Sequence, residues 1–424
     1  MISRESAAPP NKIVLAYSGG LDTSVILPWL KERYPGTQVA AFVCDLGQGD
    51  DMKYVFEKAK ASGADEVVIR DCRREFLENY CFPMLRARAV YDGDYMLGTA
   101  VARPLIARQQ VMVARELNAD AVAHGATGKG NDQVRFELTY MALAPDLKIV
   151  APWKDPQFQL NSREAALDYA KAHDVPVEAT VKKIYSRDAN IWHMSHEGGE
   201  IENAAQEPAD DCYVLSRPVS RAPDASEYVT VEFDSGVPIG LNNERLDSIA
   251  LVLRLNEIAG RHGVGQALLI ENRVVGLKSR GLYETPAGTV LYEAHKSLDQ
   301  LCCERDLFHY KQHVAVKLAE MIYYGQWIHP LREALQAFVD HANRVITGSV
   351  RVKLFKGRAV AVGANSPLAL YDQELASFAM GDYDITAARG FIDLFGLPMK
   401  LSGRRAAKAA AASGAGGSWR DRGA

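Results

Sequence analysis

Short apolar runs rich in β-branched residues, each followed by a longer stretch of helical periodicity, dominate the chain between Lys12 and Lys171. The runs are KIVLAY (Lys12 to Tyr17), QVAAFV (Gln38 to Val43), EVVIR (Glu66 to Arg70), DAVAH (Asp120 to His124) and KIVA (Lys148 to Ala151). They are continuously apolar rather than alternating, as strands are when a parallel sheet is covered by helices on both faces. This pattern predicts a Rossmann-like α/β domain over 11–173. Its ligands should gather beyond the carboxyl ends of the strands.

Beyond Asp174 the alternation stops. A hairpin, YVTVEF and SGVPIGL, precedes a periodic helix over Leu246–His262, with Leu246, Ile249, Leu253 and Ile258 along one side. Further helices are expected over Arg305–Tyr324 and Leu331–Ile346, followed by SVRVKLF and RAVAVG paired as a hairpin about Lys356-Gly357. The pattern reads as an α+β domain over 174–370, an apolar arm over 371–403 and a low-complexity tail over 404–424. The tail, RRAAKAAAASGAGGSWRDRGA, has too little apolar surface to offset the entropy of ordering and is expected to fray.

Composition narrows the function classes. With 49 Lys plus Arg against 53 Asp plus Glu, the net charge is -4, leaving no basic surplus to draw in a nucleic acid. The chain has 6 cysteines and no CxxC spacing, which fits a reducing, cytoplasmic compartment. No apolar stretch approaches the roughly 18 residues of a membrane span, and MISRESAAPPNK lacks the apolar core of a signal peptide, so no membrane partner is expected. His309 and His313 lie four apart without a third ligand, and Cys302-Cys303 lacks metal-site spacing; no structural metal is expected.

Candidate chemistry starts at the end of the first run, in Ser18-Gly19-Gly20-Leu21-Asp22-Thr23-Ser24, which leads directly into a helical stretch. Two glycines permit a tight turn with N–H groups pointing inward, Ser18, Thr23 and Ser24 add hydroxyls, and a helix N-terminus adds partial positive charge. Such a nest suits a pyrophosphate. A bare SGG would read more simply as a glycine turn capped by Asp22 or Thr23; the whole heptapeptide after a strand favours the nest. It is neither a Walker A loop nor a GxGxxG, and Gly128-Lys129-Gly130 lacks the hydroxyl residue that a Walker lysine precedes. Pro28 falls inside the expected helix and removes one backbone bond there.

AYSGGLDTS resembles the pyrophosphate loop of ATP pyrophosphatases, which split ATP between its α and β phosphates. Together with His124 to Glu137 (HGATGKGNDQVRFE), LGTAVARP, ENRVVGLKSRGLYETPAG and SPLALY, the chain from about Lys12 to Leu401 is similar to the argininosuccinate synthase family. The resemblance implies joining of L-citrulline to L-aspartate through a citrullyl-adenylate, with ATP and Mg²⁺ as co-substrate and no tightly bound prosthetic group. By position, Ala16, Tyr17, Ser18, Gly19, Gly20, Leu21, Asp22, Thr23 and Ser24 would hold ATP, with Cys44 beside the adenine and Gly125 near the ribose or phosphate. Thr127, Asn131 and Asp132 would hold aspartate, Asn131 touching both amino acids and Asp132 receiving the amine. Tyr95, Arg135, Ser186, Ser195, Glu271 and Tyr283 would hold citrulline. Asp22, Asp132 and Arg103 are the catalytic candidates, Arg103 as a carboxylate or phosphate partner.

Those residue types suit the ligands: two carboxylates and an amine call for hydroxyl, amide and backbone donors plus one acceptor, and a neutral ureido end calls for neutral partners. The chain departs from the family at Ala100, where a serine often touches citrulline; Thr99, a backbone group or water is expected to substitute. Family members are homotetramers embraced by a C-terminal helix, which SFAMGDYDITAARGFIDLFGLPMKLSGRR would form here. Two other readings are another enzyme with this loop, such as a tRNA-thiolation adenylase, and a non-catalytic nucleotide-binding module. The first should show a basic surface and a reactive cysteine; the second would tolerate loss of either cluster.

Overall fold

Hydrophobic residues on β1 (Lys12–Ala16) are buried on both sides: Ile13 and Leu15 enter one core, Val14 and Ala16 the other. The same split holds in β2 (Gln38–Asp45), where Val39, Ala41 and Val43 oppose Ala40 and Phe42. Successive strand residues point to opposite faces, so a sheet covered on both sides demands an unbroken apolar run. Each such aliphatic side chain contributes about 1.5–3 kcal/mol by leaving water. With β3 (Glu66–Asp71), β4 (Ala121–Ala123) and β5 (Lys148–Val150) they form a parallel sheet in the order β3-β2-β1-β4-β5. The reversal of strand order lies between β1 and its neighbours, and the loops after β1 and β4 open there.

The computed structural model describes residues 9–128, 130–160, 162–176, 185–376 and 386–412. Lys129 of the GKG pair, the first eight residues of the N-terminal segment, residues 377–385 of the expected arm and the end of the tail lie outside the described residues. The chain divides into two units, Met1–Leu370 and Tyr371–Ala424.

The remaining strands are β6 (Ser186–Asn190), β7 (His193–Glu197), β8 (Glu227–Asp234), β9 (Val237–Leu241), β10 (Glu244–Arg245), β11 (Gln266–Asn272), β12 (Lys278–Glu284), β13 (Gly348–Phe355) and β14 (Arg358–Asn365). They make two antiparallel sheets, β10-β9-β8-β13-β14 and β11-β12-β7-β6. Both expected hairpins are present. The expected helix over Leu246–His262 spans Ser248–Arg261, with Asp247 capping the N–H groups of Ile249 and Ala250. Its buried face is not the expected one: Leu253 is 51% exposed, while Ser248, Leu251, Val252, Leu255, Asn256 and Ala259 are inside. Small and polar residues occupy that face because Asn256 is satisfied there, donating to the Ile191 carbonyl and accepting from the Ala287 N–H.

Arg305–Tyr323 is helical as expected, whereas the next helix covers Pro330–Ala342 and closes in a short 3₁₀ turn at Asn343–Val345. Pro286–Cys302 is a helix that the periodicity reading did not identify. The helix Leu21–Arg33 runs on through Pro28, and nothing in the structure explains the proline. In the second unit, Ala387–Phe395 and Leu397–Ala412 are helices, so residues 404–412 are ordered against expectation. Alanine is the strongest helix former, and RRAAKAAAA continues a helix already nucleated. No helix among the described residues is long and apolar enough to cross a membrane.

Candidate active site

The loop after β1 is organised by its own side chains. Gly19 takes φ 74°, a left-handed conformation that glycine adopts without a Cβ penalty. Ser24 Oγ donates to the Gly20 carbonyl at 2.8 Å and shares a contact of 2.9 Å with the Tyr17 hydroxyl, while Ser18 and Thr23 hydroxyls meet at 3.1 Å. From the next helix, Lys58 Nζ donates to the Gly19 carbonyl at 2.6 Å. The Ser18 N–H donates to Thr23 Oγ1 and the Gly20 N–H to Ser18 Oγ, both at 3.3 Å, so an incoming phosphate would have to take over these long bonds, beside the N-terminus of Leu21–Arg33. Leu21 packs inward beside Val25, and Asp22 faces solvent; crowding by protein raises the Asp22 carboxyl above its ordinary value, against the pull of Arg163.

Cys44 ends β2 next to this loop, whose Tyr17 N–H bonds the Phe42 carbonyl at 2.8 Å. Its thiol faces Cys72 and is pushed well up by that contact and by burial, so Cys44 can pack against a base but is a poor thiolate. Gly125 follows β4, where a Cβ would stand 3.1 Å from Thr23 Cγ2 and 3.2 Å from Ile26 Cδ1. This close approach brings the second polar cluster against the first. His124, fully buried, holds the turn by accepting from the Ala126 N–H at 3.2 Å.

Asn131 and Asp132 open the helix Asp132–Leu143. Arg103 Nε donates to Asp132 Oδ2 at 2.8 Å, Arg135 Nη1 donates to Asp132 Oδ1 at 2.9 Å, and Arg103 Nη2 donates to Asp188 Oδ2 at 2.7 Å. Partial burial pushes the Asp132 carboxyl up, but the Arg103 and Arg135 guanidiniums outweigh it and hold the carboxyl below its ordinary value. Arg135 Nε donates to the Tyr323 carbonyl at 2.9 Å, and its guanidinium lies over the Tyr323 ring. Its Nη2 is buried with no hydrogen-bond partner among the described residues. Asn131 donates to the Tyr323 hydroxyl at 2.8 Å and accepts from the Val274 N–H at 3.0 Å.

The four-stranded sheet faces this cluster. In its registers Asp188 opposes Ser195, Ser195 opposes Tyr283 and Glu271 opposes Ser279. Cross-strand partners share a face and alternate residues repeat it, so Ser186, Asp188, Ser195, Glu271 and Tyr283 all lie on one side of the sheet. Tyr283 and Tyr95 rings are 4.7 Å apart, and Glu271, 4% exposed, lies against the Tyr323 hydroxyl. Burial raises the Glu271 carboxyl, with Arg135 opposing.

The structure therefore links Tyr95, Arg103, Asn131, Asp132, Arg135, Ser195, Glu271 and Tyr283 in one continuous cluster of contacts. Ser186 and Thr127 are both exposed. Ala100 is fully buried, and its N–H donates to the Tyr95 hydroxyl at 3.3 Å. Thr99 lies beside the same hydroxyl. Asp188, Tyr323 and Lys58 escaped the sequence reading: each lies in a stretch with no glycine loop or polar cluster to mark it.

Two family models match the chain: the arginosuccinate synthase N-terminal HUP domain over residues 12–176 and the arginosuccinate synthase C-terminal domain over residues 185–402. The argininosuccinate synthase of Pelotomaculum thermopropionicum is 55% identical over 391 residues, covering 92% of this chain and 97% of that protein. That of Roseiflexus castenholzii is 54% identical over 392 residues, with 92% and 97% covered. A solved U34-tRNA thiolase from Methanococcus maripaludis, at 15% identity, overlaps 42% of this chain and 62% of its own with a TM-score of 0.27, too slight a likeness to argue from. With both halves matched and more than half of the residues shared across nearly the whole length, this chain belongs to the argininosuccinate synthase family.

Proposed function

We infer that the chain ligates L-citrulline to L-aspartate, consuming ATP and releasing AMP and pyrophosphate. The observation that carries the reading is the close packing of Gly125 on Thr23 and Ile26, at the start of the segment that leads from β4 into the Asp132–Arg103–Arg135 cluster. It supports an arrangement in which the α-phosphorus of ATP and the reacting end of an amino acid share one space. The full-length relatives favour this over a thiolating adenylase or a binding module.

In the first step the ureido oxygen attacks the α-phosphorus and the bond to the β-phosphate oxygen breaks. That oxygen atom is a poor nucleophile, so alignment must supply most of the help, and good orientation contributes about 7–11 kcal/mol. The N–H groups of the loop, with the hydroxyls of Ser18 and Thr23, take up the charge growing on pyrophosphate; Ser24, expected as a further donor, is fully buried and spends its hydroxyl proton on the Gly20 carbonyl, holding the turn instead. Asp22, a solvent-facing carboxylate at that helix start, is the hard oxygen donor that Mg²⁺ takes, so the residues present fit the ion. Bound with ATP, Mg²⁺ supplies neutralisation of phosphate charge.

In the second step the aspartate amine attacks the activated carbon, AMP leaves with the bonding electrons, and the amine loses a proton. Asp132, held ionised between two guanidiniums, accepts a hydrogen bond from the neutral aspartate amine and orients its lone pair rather than acting as a strong base; the proton that the amine sheds passes to the departing adenylate phosphate or to solvent. Thr127 and Asn131 supply donors for its carboxylates. Arg135, with an unspent Nη2, and Glu271 match the carboxylate and ammonium of citrulline.

The second unit exposes Phe391, Ile392, Leu394, Phe395, Leu397, Met399 and Leu401 along its helices, which supports an arm that packs on other copies in a homotetramer. Six free, buried cysteines support a reducing cytoplasmic setting. Mass-spectrometric detection of argininosuccinate and AMP, omitting each substrate in turn, tests the reading. AMP should require citrulline, and argininosuccinate should appear only when aspartate is added. Bound ATP without citrulline-dependent AMP would overturn it.

A further inference from the structure

His193 is fully buried at the start of β7, on the same face of the four-stranded sheet as Ser195. Its Nδ1 meets the Thr285 hydroxyl at 3.0 Å. Its Nε2 is buried with no hydrogen-bond partner among the described residues, although the great majority of buried polar atoms have one. The ring stacks on Tyr283 at 5.5 Å and meets Tyr95 edge-on at 5.8 Å, so it packs against both of those candidate citrulline residues. On its other side is Gly98, where any Cβ would collide with the imidazole. A glycine is thus spent at the head of the helix that carries Arg103 so that this ring can sit there.

An orphaned buried nitrogen packed beside the candidate citrulline residues calls for a polar group to complete it, reached as the side chains around it adjust to the ligand. Burial holds the imidazole neutral, lowering its pKa to about 3, with His196 also lowering it and Glu284 opposing. The charged ends of citrulline are matched by charged groups, Arg135 and Glu271. What remains is the neutral ureido end, and an uncharged ring nitrogen is the partner that such a group takes.

We propose that His193 is a further recognition residue of the citrulline site, with Nε2 hydrogen-bonded to the ureido end and Thr285 fixing the ring orientation. The inference rests on the ligase reading above. If the parent protein forms no citrulline-dependent AMP, that reading fails; if it does, the variants below test His193 alone.

His193→Phe keeps the ring and removes both nitrogens, and His193→Gln keeps an amide nitrogen near the place of Nε2. KM should rise about tenfold for citrulline in His193→Phe while those for ATP and aspartate stay within about twofold, the size expected for one lost neutral hydrogen bond. His193→Gln should recover most of the citrulline affinity. Equal effects on all three substrates, or no change for citrulline, would overturn the proposal. Should His193→Phe fail to fold, Thr285→Val against Thr285→Ser provides the second test. Valine should raise the citrulline KM selectively and serine should restore it; identical citrulline KM values in both would also overturn it.

Discussion

The pyrophosphate loop and the amino-acid pocket are built in opposite ways. The loop is contiguous: Ser18 to Ser24 bond chiefly to one another and to the preceding Tyr17, with Lys58 reaching in from the next helix. The pocket is assembled from residues far apart in the chain, with Arg103 tied to Asp132 and Asp188, and Arg135 and Asn131 tied to Tyr323. The loop relies on neutral hydroxyls, backbone and a helix end; the pocket relies on ion pairs and buried titratable groups. A phosphate brings its own charge and needs only donors. Two zwitterionic amino acids must be told apart end by end, which takes fixed charges of both signs.

Removing the hub of the pocket should have the largest effect. Asp132→Ala leaves the Arg103 and Arg135 cations without their shared anion, and Arg135 is 3% exposed. Breaking such a pair costs about 3–5 kcal/mol when fully buried, and the lower end applies because Asp132 is partly exposed. The urea midpoint should fall, and argininosuccinate formation should drop by about 10²–10³ in kcat/KM. ATP binding, measured by calorimetry, should survive. Loss of ATP binding as well would mean that the two regions are not separable.

Acid should separate them next. His193 titrates near pH 3 in the folded chain against 6.5 for the free side chain, so the unfolded state binds the extra proton between those values. Stability is therefore retained above pH 6.5 and declines as pH falls toward 3, by up to about 1.4 kcal/mol per pH unit. The depressed Asp132 carboxyl adds its loss only at lower pH, as it protonates. His193→Phe should flatten the urea-midpoint slope between about pH 6.5 and 4. An unchanged slope would place the acid sensitivity elsewhere.

The smallest effect belongs to the loop. Gly19→Ala places a side chain at φ 74°, which costs about 1–2 kcal/mol, yet its Cβ would meet only Val55 at an ordinary 3.5 Å. The ATP KM should rise several-fold with the citrulline KM unchanged. Equal rises for both substrates would show the loop to be mechanically coupled to the pocket.

Legibility followed the same division. The five parallel strands fall within two residues of their apolar runs because burial on both faces leaves an unbroken signal. The helix Ser248–Arg261 was readable in extent but not in face, since Asn256 and Ser248 occupy inward positions that a hydrophobic stripe would assign to leucines. The tail was read as unordered from its lack of apolar surface, and alanine propensity carried the helix to Ala412 instead.

The sequence by itself determined the doubly covered sheet, the phosphate-binding turn and the polar cluster that starts at Asn131. Each depends on neighbours in the chain: side-chain alternation, glycine dihedrals and a helix N-terminus. Only the tertiary structure brought Asp188, Tyr323 and His193 against the candidate site residues. Their roles depend on strand register and on helices that end against one another, and no local spacing records which distant residue will complete a buried charge or leave a ring nitrogen free.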